Sequence, residues 1–100
     1  MQKRIVLMCS QGASTSMLVS AMEKEAKASG YECDISATSV THVSEAGKNA
    51  DIILLGPQVG YMKSEVEKEV SCKVLVIPAV QYGLMDGSAV LNLVKETLNK

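Results

Sequence analysis

The chain has 100 residues and a mass of 10.7 kDa, enough for one domain over residues 1–100 that buries roughly two thirds of its unfolded surface without a metal or disulfide staple. Its 47% hydrophobic and 21% charged residues exclude a disordered or fibrous chain. A net charge of −1 leaves no cationic footprint for nucleic acid or an anionic membrane.

No apolar run approaches the roughly 20 residues of a membrane span, and the four apolar residues Ile5–Met8 are too few for a signal-peptide core. The three cysteines, Cys9, Cys33 and Cys72, are odd in number and far apart, so they fit neither a disulfide framework nor a CxxC redox or zinc pair. The expectation is a cytoplasmic chain with free thiols, no metal or cofactor, and, from its even charge, a monomeric state.

Strand and helix patterns alternate along the sequence. Ile5-Val6-Leu7-Met8 is the continuous apolar run that a strand covered on both faces requires. Met17, Leu18, Ala21, Met22 and Ala26 then recur at helical spacing, which predicts a helix from Thr15 to Ser29 stopped by Gly30. Tyr31–Ala37 alternates apolar and polar residues and reads as an edge strand. Thr41 is placed to cap a short helix running to Lys48. Asp51–Leu55 is a second buried strand, and Gly56-Pro57 opens a helix with Val59, Met62, Val66 and Val70 on one face. Lys73–Ile77 is the last strand, and Asp86 caps a final helix whose stripe is Val90, Leu91, Val94 and Leu98.

Such βα repeats predict an α/β protein: a three-layer α/β/α sandwich with a four-stranded parallel sheet in the order 2-1-3-4, because crossovers are right-handed and helices must cover both faces. Its binding crevice should lie outside the carboxyl ends of the strands, where the winding reverses beside strand one.

The residues at that point are Cys9-Ser10-Gln11-Gly12-Ala13-Ser14-Thr15-Ser16. Small side chains let backbone amides turn inward around an oxyanion, and the following helix adds unpaired donors and the positive end of its dipole. Cys9, facing that ring of donors, is expected to react as a thiolate aimed at phosphorus. The bland reading is a small buried residue ending a core strand, but the hydroxyls of Ser10, Ser14, Thr15 and Ser16 exceed what a plain turn needs. No GxxxxGK[ST] or dinucleotide fingerprint is present.

A low-molecular-weight tyrosine phosphatase has a similar fold and opens its phosphate loop with Cys-x5-Arg. Here the arginine position is Thr15, and the only arginine, Arg4, precedes Cys9 on the same strand by about 16 Å at 3.3 Å per residue. Without the bidentate fork, and without that family's late Asp-Pro acid, the loop is suited to hold a phosphoryl group rather than hydrolyse it. A phosphatase and a cysteine redox sensor remain the alternatives to a phosphocysteine relay.

Met8-Cys9-Ser10-Gln11-Gly12-Ala13-Ser14-Thr15-Ser16-Met17-Leu18-Val19 resembles the active-site loop of the enzyme IIB component of the bacterial phosphotransferase system, lactose/cellobiose (diacetylchitobiose) family. Leu54–Met62 and Tyr82–Gly87 resemble its later motifs, so the resemblance covers essentially the whole chain. It implies a protein that accepts a phosphoryl group from a phosphohistidine on the IIA component and gives it to a sugar, cellobiose or another β-disaccharide, bound in the membrane component IIC. In that comparison Cys9 matches the phosphocysteine, Ser10 to Ser16 match the phosphate loop, and Gln11 departs from the smaller residue expected there.

Pro57, Gln58 and Tyr82 follow strands three and four and are candidates for a docking rim; the competing reading is that Gly56-Pro57 starts a helix and Tyr82 covers the core. His42, Cys33 and Cys72 read as a solvated histidine and two packing cysteines.

Overall fold

A computed structural model describes residues 3–9 and 15–98. The elements are β1 (Lys3–Cys9), α1 (Thr15–Ser29), β2 (Cys33–Ser39), α2 (Val43–Ala46), β3 (Ile52–Leu55), α3 (Lys63–Glu69), β4 (Lys73–Val76), α4 (Ala79–Gly83) and α5 (Gly87–Thr97). The four strands pair in parallel in the order β2-β1-β3-β4, as expected from the repeat pattern.

Alternation along the two central strands divides the core into two layers. Ile5, Leu7, Ile52 and Leu54 face α1 and α5, where Leu18, Met22, Val90, Leu91 and Val94 meet them. Val6, Met8, Ile53 and Leu55 face the other way, against Val40, Val59 and Val66. Both faces of β3 are fully covered, which is why Ile52–Leu55 is uninterrupted hydrophobic sequence. Each such side chain contributes roughly 1.5–3 kcal/mol by leaving water.

Two ends of α1 and α5 are fixed by local chemistry. Gly30 takes a left-handed conformation (φ 73°) that lets the Tyr31 amide reach back to the Ala26 carbonyl at 2.9 Å, closing α1. The Asp86 carboxylate accepts from the Ala89 amide at 3.1 Å and caps α5 as its sequence position predicts. Between these helices Gly87 touches the backbone of α1 so closely that a Cβ there would lie 2.5 Å from the Ala21 carbonyl carbon.

The structure corrects three elements and adds a fourth. β2 begins at Cys33 rather than Tyr31 and runs to Ser39, because its register with β1 extends from Lys3↔Cys33 to Cys9↔Ser39. The crossover after it is capped by Ser39, whose Oγ accepts from the Thr41 amide at 3.3 Å; Thr41 itself lies inside a 3-10 turn, Val40–His42, and α2 stops at Ala46. The helix expected from Gly56-Pro57 opens as a 3-10 segment, Pro57–Met62, that kinks at Val59 (φ −117°, ψ 19°) before α3 starts. Gly60 in that segment lies against β4, where a Cβ would stand 3.0 Å from Val76 Cγ1. Finally, α4 was not expected at all: it follows Pro78 and carries Tyr82.

Candidate active site

Every strand of a parallel sheet ends at the same edge, so the segments after β1, β2, β3 and β4 converge there. Cys9 is the last residue of β1, 5% exposed, and pairs with Ser39 at the end of β2. On its other side Met8 pairs with Leu55, and the Gly56 amide donates to the Met8 carbonyl at 2.8 Å. Gly56 thereby forms a wall beside the cysteine: a Cβ on Gly56 would stand 3.4 Å from the Cys9 Cβ. By the alternation of β1, Cys9 belongs to the same face as Ile5 and Leu7, the face covered by α1.

Helix α1 begins six residues after Cys9. A 15-residue helix carries a full macrodipole, and its first-turn amides lack partners within the helix, so its start favours an anion. Ser16 is exposed in that first turn. Ser10, Gln11, Gly12, Ala13 and Ser14 lie outside the described residues, as does the side chain of Thr15; what the structure describes is the two anchors of that loop, Cys9 and the start of α1.

The remaining candidates separate. Pro57 and Gln58 follow Gly56 at the Cys9 edge, Pro57 half-buried and Gln58 exposed. Tyr82 is only 7% exposed and packs in the core layer with Ile77 and Val90, so its place is that of a core residue and not of a surface contact. His42 is exposed in the turn after β2, its Nδ1 3.4 Å from Thr38 Oγ1. Arg4 is exposed at the opposite end of β1, where its amide donates to Asp51 Oδ2 at 2.8 Å and the Asp51 amide donates to its carbonyl. No cluster of three or more potential metal ligands occurs among the described residues.

Cys33 starts β2 opposite Lys3, six register positions from the Cys9 level, or about 20 Å at 3.3 Å per residue. Cys72 immediately precedes β4 at that same far end. A disulfide requires Cα atoms within about 7 Å, so neither can pair with Cys9 in the folded chain. Burial, then Glu23 and Asp34, push the Cys33 thiol up, and burial does the same for Cys72.

A surface cleft of about 720 Å³ also lies at the far end, between Ala26, Lys27, Gly30, Tyr31 and Cys33. It is remote from the converging segments. Four large apolar residues that the sequence pattern does not single out stand exposed, Met17, Tyr61, Val80 and Leu84, at 65%, 83%, 73% and 72%. Of the apolar residues at helical spacing in α1, Leu18 and Met22 fill the buried stripe, whereas Met17 turns to solvent.

A family profile described as "PTS system, Lactose/Cellobiose specific IIB subunit" matches residues 4–93. The chain belongs to this family. Among its relatives, the oligo-beta-mannoside-specific EIIB component of Bacillus subtilis is 41% identical over 88 residues, covering 85% of each chain. The cellobiose-specific EIIB component of Lactococcus lactis subsp. lactis is 39% identical over 105 aligned positions, covering 97% of each. The solution structure of a cellobiose-specific IIB component from Borrelia burgdorferi superposes with a TM-score of 0.82 at 34% identity, over 99% of this chain and 94% of the other. As a IIB chain, the protein is a phosphotransferase-system component of sugar transport. No helix among the described residues is long and apolar enough to cross a membrane.

Proposed function

We propose that Cys9 carries the phosphoryl group of the relay. The thiolate attacks the phosphorus of a phosphohistidine on the IIA component in line with the N–P bond. The S–P bond forms as the N–P bond breaks, and the imidazole keeps the bonding pair and takes up a proton. In the second step a sugar hydroxyl, held by the membrane component IIC, attacks the same phosphorus. The S–P bond breaks, the thiolate returns, and the hydroxyl proton leaves to a base on the acceptor side. The transition state is loose, so catalysis consists of alignment and of donors aimed at the equatorial oxygens. Those donors are the amides of Ser10 to Ser16, with Ser14, Thr15 and Ser16 adding hydroxyls.

The observation that carries this reading is the position of Cys9: last residue of a central strand, at the sheet edge where α1 begins, in a chain of the IIB family. Pro57 and Gln58, beside it, form part of the docking rim. The sugar is a β-linked disaccharide such as cellobiose, as in the relative and the solved structure named for it. The chain acts as a cytoplasmic monomer, a single IIB domain over residues 1–100, that meets IIA and IIC in turn on overlapping surfaces.

The test is intact mass after incubation with phosphoenolpyruvate, the general phosphotransferase proteins and a lactose/cellobiose-type IIA. One phosphoryl mass is expected on the native chain, stable until sugar-loaded IIC membranes are added, and none on Cys9→Ser. Rapid release of free phosphate, or an adduct retained by Cys9→Ser, would overturn the assignment.

A further inference from the structure

We propose that Gln58 is a further catalytic residue, whose side-chain amide donates a hydrogen bond to an equatorial oxygen of the phosphoryl group on Cys9. The proposal rests on Cys9 being the phosphoryl acceptor, and it gives Gln58 a part in the transfer itself.

Gly56 is the geometric link between the two side chains. It stands one step beyond the register pair Met8↔Leu55, so its Cβ direction shares a face of the sheet with the Cys9 side chain. A Cβ on Gly56 would lie 3.4 Å from the Cys9 Cβ and 2.9 Å from Gln58 Oε1, so the amide oxygen is no farther than their sum, about 6.3 Å, from the Cys9 Cβ. A phosphorus on Sγ stands two bonds from that Cβ and its oxygens three, about 3–5 Å away at roughly 1.5–2 Å per bond. With a hydrogen bond spanning about 2.9 Å, the carboxamide reaches those oxygens by rotating about its own side-chain bonds.

The local backbone holds Gln58 at this place. Gly56 is extended (φ −61°, ψ 153°), Pro57 fixes the first residue of the 3-10 segment, and the Val59 amide donates back to the Gly56 carbonyl at 3.0 Å. Val59 is 3% exposed and packs in the core layer of Met8 and Leu55. Gln58 lies between these two anchors, and its tip folds back over Gly56. Among the described residues its carboxamide makes no hydrogen bond, so both of its N–H groups are available to an oxyanion. A half-turn of the amide plane exchanges Oε1 for Nε2 and brings the donors to the Cys9 side.

The chemistry of an amide suits a carrier. Gln58 is the polar side chain of Gly56–Val59, and residues 52–62 contain no Asp, Glu, Lys or Arg. A neutral N–H on a phosphoryl dianion makes a charge-assisted bond, stronger than one between neutral groups. An amide neither accepts nor releases a proton near neutral pH, so it aligns phosphorus without activating water as a carboxylate or imidazole would. The equatorial oxygens carry the charge both when the group arrives from phosphohistidine and when it leaves for the sugar hydroxyl, so one donor serves both transfers.

The test combines kinetics with nuclear magnetic resonance. Transfer from phosphorylated IIA is measured as kcat and KM for the native chain, Gln58→Met, which keeps the length but removes the donor, and Gln58→Glu, with thermal melts as the control for folding. Gln58→Met is expected to lower kcat about tenfold, and Gln58→Glu about a hundredfold because its carboxylate repels the phosphoryl group. In the native chain labelled with nitrogen-15, the Gln58 side-chain amide protons, identified by their loss in Gln58→Met, are expected to move downfield when Cys9 is phosphorylated, while those of Gln81 stay in place. A rise in KM with kcat unchanged would reduce Gln58 to a docking contact and overturn the proposal, as would Gln58 amide signals that ignore phosphorylation. A native chain that takes up no phosphoryl group would overturn the Cys9 reading, and this proposal with it.

Discussion

Gly56 and Cys9 stand side by side on neighbouring strands, with 3.4 Å separating the Cys9 Cβ from the place a Gly56 Cβ would occupy. The same glycine holds the strand ends in register through its amide bond to Met8. The wall of the site is therefore backbone, with room at Gly56 for a Cβ in ordinary contact with Cys9 but for little more.

Gly56→Ala should fold with a stability change below about 1 kcal/mol, since its closest neighbour is the flexible end of Gln58 at 2.9 Å. Gly56→Val directs a branch at Cys9 and should slow phosphocysteine formation by about tenfold or more, because misplacement near 1 Å is costly for in-line transfer. Rapid-quench measurement of both variants checks the contrast; equal rates would show that the wall does not matter.

Gly87→Ala places a methyl group within 2.5–2.8 Å of the Ala21 carbonyl and the Met22 amide nitrogen, which are backbone atoms of α1 that cannot turn aside. A loss of about 1–3 kcal/mol is expected from the forced separation of α1 and α5. Urea denaturation gives the figure, and unchanged stability would mean the two helices slide freely.

Asp86→Ala removes the carboxylate that accepts from the Ala89 amide. The expected cost is about 1 kcal/mol, with Asp86→Asn recovering most of it, since either side chain caps a helix start. The comparison of the two urea midpoints distinguishes capping from a general charge effect.

Much of this architecture was legible in the chain because hydrophobic runs report burial directly. Ile52–Leu55 has both faces covered, and Asp86 before Val90 and Leu91 is a cap before a stripe. The elements that were misread depend on contacts between distant residues. The start of β2 follows from pairing with Lys3, and the kinked 3-10 segment at Val59 follows from the approach of Gly60 to Val76. The five-residue α4 is too short for periodicity to reveal. For the site, Cys9 was legible from its place at the end of a strand. Which of Tyr82, Val80 and Leu84 turns outward was not, since all three are apolar and only the packing of α4 decides.

Alkaline conditions should weaken the fold. Burial raises the Cys33 and Cys72 thiols, and also the Tyr31 phenol, above their ordinary values. An acid whose folded pKa is raised keeps its proton longer in the folded state. Its stabilising effect is complete below the unfolded thiol value of about 8.5 and is lost as pH climbs from there through the folded value. The urea midpoint is expected to be level from pH 7 to about 8 and to decline above it, more shallowly in Cys33→Ala/Cys72→Ala. An equal decline in the double variant would assign the effect to other groups.

The single arginine sits at the amino end of β1, its backbone tied to Asp51, about 16 Å from the cysteine along the strand. On the proposed relay this remoteness protects energy coupling. An arginine at position 15 would complete the Cys-x5-Arg spacing of a hydrolase, and each phosphoryl group lost to water would dissipate one phosphoenolpyruvate without moving a sugar. On that reading the fidelity with which metabolism drives uptake rests on two groups that the chain does not supply, an arginine at position 15 and a late Asp-Pro acid.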